Sequence, residues 1–293
     1  MISRREKVIT HLYLIPAAVF MLVFVFYPMF ANIGFSFESF TLGAPSKKWV
    51  GLENYRQMFN DPIILTALKN NILYAIVSIV FQVAISHMLA ATVLTVLPRR
   101  LATAARSFFF IPVLLSITVV GILFTFIYDS ENGLLNSILQ HVGLGSLAKP
   151  WLGDAGTAIY SVISVSQWQS VGYTMLLFIV SMQGINQDLY EAASLDGAGT
   201  LKQYLHVTLP QTREMIFVVM ILTVSGAFTV FSEPYIMTNG GPGNASQTLA
   251  TYLYNQGFFQ NQMGYAAAIS TLIMVITIIL SVLQSFGFRT GKD

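Results

Sequence analysis

Four polar side chains, Ser166, Gln169, Ser170 and Tyr173, stand in a charge-free stretch at spacings of 3, 1 and 3 residues. On an α-helix that spacing sets all four on one face. In a membrane, lipid cannot satisfy such a face, so it must meet protein, water or a solute. An amide offers donors and acceptors together, and a phenol offers a flat ring with a hydroxyl. This chemistry suits a sugar, whose hydroxyls surround a carbon skeleton. It suits equally well the hydrogen bonding of one helix to another, and spacing alone does not choose between the two.

Covalent and metal chemistry have little to work with. The chain has no Cys, which removes disulfides, thiolate metal sites and thiol nucleophiles. Its four His residues are scattered, and neither a His-Glu-x-x-His motif nor a Ser/His pairing appears. His87, inside an apolar run, reads as a packing residue with its hydrogen bonds satisfied. Gly240-Gly241-Pro242-Gly243 is followed by no Lys-Ser/Thr, so it is not a phosphate loop. Asn244-Ala245-Ser246 is a formal glycosylation sequon of little weight. The expectation is a protein that is not an enzyme and holds no cofactor or metal of its own.

The elements that position these residues are membrane spans. Of 293 residues, 55% are hydrophobic and 10% charged, against about 25% charged in soluble domains. A net charge of +2 is too small to suggest a nucleic-acid partner. The first charge-free run, 12–37, exceeds the roughly 7–15 apolar residues of a cleavable leader and is long enough for a span of about 20. Five further runs come at 70–98, 107–128, 158–183, 215–237 and 265–288. The expected fold is all-α: a polytopic membrane protein of six transmembrane helices forming one domain over 1–293, with the lipid bilayer as its solvent.

Orientation is set by Lys and Arg. With the N-terminus inside, Arg4, Arg5, Lys7, Arg99, Arg100, Arg106, Lys202, Arg213, Arg289 and Lys292 fall on inner segments. Lys47, Lys48, Arg56, Lys69 and Lys149 fall on outer ones. Both termini and the loop 184–213 are then expected in the cytoplasm. Within that loop, 187–195 reads as a short helix that Asp196-Gly197 breaks, with a positive φ expected at Gly197. A second short helix is expected over 200–207, ended by Pro210.

The order Glu191-Ala192-Ala193, Asp196-Gly197-Ala198, Leu209-Pro210 closely resembles the EAA loop of ATP-binding-cassette importer permeases. The resemblance implies the MetI-like permease fold, with Glu191, Ala192, Ala193, Asp196, Gly197 and Ala198 as a coupling surface for a dimeric cytoplasmic ATPase. ATP and Mg would be bound by that partner. Gly51-Leu52-Glu53-Asn54-Tyr55, Thr238-Asn239-Gly240-Gly241-Pro242 and Gly264-Tyr265-Ala266-Ala267-Ala268-Ile269-Ser270 narrow the likeness to the carbohydrate-uptake, maltose-permease-F-like branch. That branch implies a second, homologous permease as heterodimer partner, an extracytoplasmic sugar-binding protein, a sugar as substrate and a place in the bacterial inner membrane. The maltose subunit's two extra N-terminal spans and large periplasmic domain are not expected in this chain.

By the same resemblance, Ser166, Gln169, Ser170 and Tyr173 match sugar-contacting positions, and Thr223, Gly226, Ala227 and Val230 form the matched face of the fifth span. The polar residues of that span, Ser225, Thr229 and Ser232, are expected on a different face. Glu233, beside Pro234, faces a water-filled vestibule or pairs with a partner subunit, and the structural role is preferred. A permease for another polar solute such as a glycerol phosphate is the nearest alternative. An ion-coupled carrier fits less well, because the span centres carry no charged relay.

Overall fold

The computed structural model describes residues 4–43 and 46–289, with side chains from 13 to 287. Pro45, the tail 290–293 and the side chains of Arg4, Arg5, Lys7 and Arg289 lie outside this description. The helices, in order, are α1 (4–35), α2 (Glu53–Asn60), α3 (Pro62–Thr95), α4 (Arg99–Phe110), α5 (Ile117–Ile127), α6 (Leu134–His141) and α7 (Ala158–Gln183). Then come α8 (Gln187–Leu195), α9 (200–211), α10 (Arg213–Thr229), α11 (Ser232–Thr238), α12 (249–259) and α13 (Met263–Arg289). Two compact units divide the chain: Met1–Asp61 with Leu253–Met274, and Pro62–Tyr252 with Val275–Asp293.

Among the described residues, four helices are long and apolar enough to cross a membrane: Tyr13–Phe35, Pro62–Thr95, Arg213–Thr238 and Met263–Gly287. The pair Arg99–Leu114 and Ile117–Ile127 makes a fifth if it counts as one span. α7 has 26 residues, about 39 Å at 1.5 Å per residue, but serines, glutamines and one threonine interrupt its apolar character.

The helices add three details to the expected runs. The run 107–128 is two helices bent by 98°: Pro112 cannot donate a backbone hydrogen bond, and Leu115 and Ser116 have extended backbones (ψ 140° and 134°). The run 215–237 falls within one candidate span, Arg213–Thr238, whose helix is interrupted after Thr229, where Val230 has ψ 124°. The run 70–98 begins its helix earlier, at Pro62, because proline is tolerated in a first turn.

In the first unit, α1 is exposed at every residue from Tyr13 to Pro28, an apolar surface suited to lipid or another subunit. A two-residue antiparallel ladder pairs Glu38 with Trp49 and Ser39 with Lys48. The Gly51–Tyr55 motif holds this corner. Gly51 has φ +59°, and the Asn54 amide donates to the Ser36 and Glu38 carbonyls at 2.8 and 2.9 Å. The Tyr55 hydroxyl meets Ser36 Oγ at 2.6 Å. Gly264, which opens the third marker motif, packs on the Glu38 carbonyl so closely that no Cβ fits, and the Tyr265 hydroxyl donates to Asp61 Oδ2 at 2.7 Å.

In the second unit α7 is central, packed by α3, α4, α5, α10 and α11. Its lower half buries Met175, Phe178, Ile179 and Met182 against Ala90, Val93 and Val219. Gly172 lies directly under the Phe109 carbonyl, where any side chain would collide with backbone. Asn70 and Asn71 tie the 238–249 loop down. Asn70 donates to the Ala245 and Gln247 carbonyls, and Asn71 donates to Ala227 O at 2.6 Å while accepting from the Leu249 N–H.

Candidate functional site

A cavity of about 550 Å³ lies within the second unit, walled by α3, α7, α10 and the α10–α11 break. Ser166, Gln169, Ser170 and Tyr173 all line it from α7, and Thr223, Gly226, Ala227 and Val230 all line it from the opposite wall. Each has a physical reason to be there. The 3-1-3 spacing keeps the first four on one helical face. Gly226 leaves open space where a Cβ would stand, which enlarges the cavity.

The fifth-span polar residues are expected on another face, yet Thr229 and Ser232 also line the cavity. The helix ends at Thr229, so a continuous helical wheel does not describe the residues beyond it. Ser225 is not among the lining residues. Its carbonyl accepts the Thr229 hydroxyl at 3.0 Å.

Sequence reasoning missed the α3 wall. Tyr74, Ser78 and Gln82 line the cavity from there. The α-helical hydrogen bonding of α3 widens to a π segment over Ile79–Ile85, a distortion often found at functional sites, and Gln82 sits in it. A chain of hydrogen bonds runs behind the wall. Thr223 Oγ1 donates to Gln82 Oε1 (3.3 Å), Gln82 Nε2 to Gln167 Oε1 (2.9 Å), and Gln167 Nε2 to Ser78 Oγ (3.0 Å). The amides of Gln82 and Gln167 are thus largely committed to protein. Gln169 divides its polar groups: Nε2 donates to the Leu115 carbonyl at 2.9 Å, where the α4–α5 break exposes it, and among the described residues no hydrogen bond reaches Oε1. The one signal for this wall was Ser78 and Gln82, polar and one turn apart in an apolar run.

The second candidate surface is the α8–α9 knob. Asn186 caps α8 by accepting the Asp188 N–H. At the other end Ala198 N donates to Ala193 O (2.9 Å) and Gly197 N to Ser194 O (3.0 Å), with Gly197 at φ +74°. This is a Schellman ending, which needs a left-handed residue at the glycine position, and the positive φ agrees with the sequence expectation. Gln203 Nε2 closes the turn by donating to Ser194 Oγ at 2.8 Å. Glu191, Ala192, Asp196 and Gly197 are exposed, and Ala193 and Ala198 are half-buried. Leu195 and Leu201 flank the turn at 89% and 71% exposure, so the tip presents apolar surface. Pro210 does not end the second helix. It lies in the first turn of the segment Leu209–Gln211 after a π segment, and the stop comes at Thr212 (φ −94°, ψ 6°).

The knob is fastened to α3 through His87. Its ring is 2% exposed, with Nδ1 2.8 Å from the Tyr204 hydroxyl and Nε2 2.8 Å from Thr212 Oγ1. Thr212 gives its own proton to the Thr208 carbonyl (2.8 Å), so its oxygen accepts from Nε2–H. Nδ1 then accepts from Tyr204, whose pKa burial raises, keeping it a donor. Tyr190 of α8 meets Thr208 Oγ1 at 2.9 Å. His87 is therefore a satisfied packing residue, and it also joins α3 to the knob.

The family described as binding-protein-dependent transport system inner membrane component matches residues 83–287. The probable ABC transporter permease protein YurN of Bacillus subtilis (strain 168) is 51% identical over 289 residues, covering 99% of each chain. The arabinooligosaccharides transport system permease protein AraP of the same organism is 33% identical, over 95% of this chain and 88% of that one. The crystal structure of a bacterial ABC transporter that imports the acidic polysaccharide alginate contains a chain of like fold. Its TM-score is 0.84 at 21% identity, over 99% of this chain and 98% of that one.

Proposed function

From the premise that this chain belongs to the binding-protein-dependent transport system inner membrane components, we propose that it is one permease subunit of an ATP-driven sugar importer. It forms half of a translocation path and takes the work of ATP hydrolysis from a separate ATPase. The observation that carries this reading is the convergence of eight residues from α7 and the 223–230 segment on one cavity that mixes hydroxyl and amide groups with apolar side chains. Relatives named for arabino-oligosaccharide and lactose transport supply the substrate class.

In this reading Ser166, Gln169, Ser170 and Tyr173 meet sugar hydroxyls, and Thr223, Gly226, Ala227 and Val230 shape the opposite wall. Glu191, Ala192, Ala193, Asp196, Gly197 and Ala198 dock on the ATPase, with Leu195 and Leu201 as apolar anchors. The chain crosses the inner membrane six times, with α7 and the bent α4–α5 pair as two of the crossings and both termini in the cytoplasm. A homologous second permease completes the path, and an extracytoplasmic binding protein delivers the sugar.

The test is reconstitution with the second permease, the ATPase and the binding protein in liposomes, with a panel of labelled sugars. Uptake that needs ATP and all four proteins is expected. Accumulation of sugar by this chain alone in an ion gradient would overturn the reading. Reporters fused after Gln187 and at Gly243 should report from the cytoplasm and the outside, respectively. A cytoplasmic signal at Gly243 would sink the six-span topology.

A further inference from the structure

We propose that Glu233 makes this cavity a subsite for an ammonium group, so that the sugar it selects carries a protonated amine. The inference rests on the permease reading of the cavity and goes beyond it in naming the solute's charge. Glu233 lines the cavity from the first turn of α11, just past the break that ends α10. It is half-buried, and its residue lies within an apolar stretch long enough to cross a membrane. Ionisable residues within a span are rare and mark a partner or a pathway.

Among the described residues, the cavity lining contains no Lys, Arg or His to oppose its charge. Among the described residues, Tyr74 donates to Oε1 at a long 3.5 Å, and Ser166 lines the same cavity. A glutamine would satisfy the same hydroxyl at far smaller desolvation cost. What only a carboxylate adds is negative charge, in a cleft whose low-dielectric walls concentrate its field. A solute that gains from that charge is a cation with hydroxyls for the rest of the wall: Ser170, Gln169 Oε1 and the Tyr173 ring. A sugar bearing an ammonium group meets both demands, whereas uronates and sugar phosphates are repelled.

The experiment uses the intact complex of this chain with its second permease and ATPase, in detergent without the binding protein. Calorimetric titration compares two probes that differ at one atom type: cellobiose and the β-1,4 dimer of glucosamine, in which an ammonium replaces each 2-hydroxyl. A charge-assisted hydrogen bond predicts that the amine dimer binds about 10- to 100-fold tighter, and that added salt narrows the gap. Glu233→Gln should abolish the difference while leaving cellobiose affinity within about two-fold, since it keeps the neutral contacts. Glu233→Asp should retain the preference, because charge and not shape sets it. Equal binding of the two dimers by the native complex overturns the proposal alone. If neither dimer binds, the permease reading of the cavity falls and takes the proposal with it. If Glu233→Gln lowers complex yield and cellobiose binding together, the carboxylate pairs with the second permease, and the proposal is wrong.

Discussion

The cavity and the knob are both polar exceptions in an apolar chain, but they handle their polar groups in opposite ways. Around the cavity most donors and acceptors are already bound to one another: Thr223 to Gln82, Gln82 to Gln167, Gln167 to Ser78, and Gln169 to the Leu115 carbonyl. The knob spends its internal hydrogen bonds on its own turn and leaves its tip bare, with Leu195 at 89% exposure beside exposed Asp196 and Gly197. A wall that holds itself together can open to a passing solute without collapsing. A tip that leaves apolar surface in water is shaped for a lasting protein contact. His87 joins the two regions, since it sits on α3 and bonds to Tyr204 and Thr212.

The largest effect is expected at the knob. Gly197→Val places a β-branched residue at φ +74°, which costs about 1–3 kcal/mol of backbone strain, and the Schellman ending is lost. ATPase co-purification and uptake should both fall to background. Sugar binding to the detergent-solubilised chain should stay native, because among the described residues the cavity shares no hydrogen bond with the turn. If Gly197→Val complexes import sugar at the native rate, the docking role assigned to this tip is wrong.

A smaller effect is expected at the joint. His87→Phe leaves the Tyr204 hydroxyl and Thr212 Oγ1 without their buried partner, at about 1–3 kcal/mol for an unsatisfied group. The melting temperature of the complex should drop, and the sugar imported per ATP hydrolysed should drop with it. His87→Gln can rebuild one of the two bonds and should recover part of both quantities. A lower melting temperature with an unchanged transport-to-hydrolysis ratio would make His87 a packing residue only.

The two regions also differ in how readable they are. The knob is local: its helix, break and glycine lie within some twenty residues, and Asp196-Gly197 announces the turn by its own backbone preference. Only its end is misplaced by sequence, because Pro210 reads as a stop when it can occupy the first turn of a new segment. The α7 face is equally legible from spacing. What one sequence hides is long-range. Nothing in 107–128 except Pro112 warns of a 98° bend, and the break after Thr229 brings Ser232 to a wall where a continuous wheel does not put it. Asn70 and Asn71 resemble mild interruptions of an apolar run. Their role appears only when the Ala227, Ala245 and Gln247 carbonyls are folded against them.

The finest comparison lies inside the cavity, between two neighbours on the α7 face. Gln169 has one foot in the scaffold, since its amide donates to Leu115 O at the α4–α5 break. Tyr173 is 47% exposed, and among the described residues no hydrogen bond of its hydroxyl is present. If both meet the sugar, Tyr173→Phe removes a solute contact and nothing else. A net hydrogen bond of about 0.5–1.5 kcal/mol corresponds to a rise of about 2- to 12-fold in the KM for uptake, with yield and melting temperature unchanged. Gln169→Leu should raise KM by a similar factor and also lower the melting temperature, because the Leu115 carbonyl loses its donor. Measuring KM and melting temperature for both variants separates the roles. The pocket assignment is wrong if Tyr173→Phe leaves KM unchanged while Gln169→Leu changes only stability, for then this face serves helix packing.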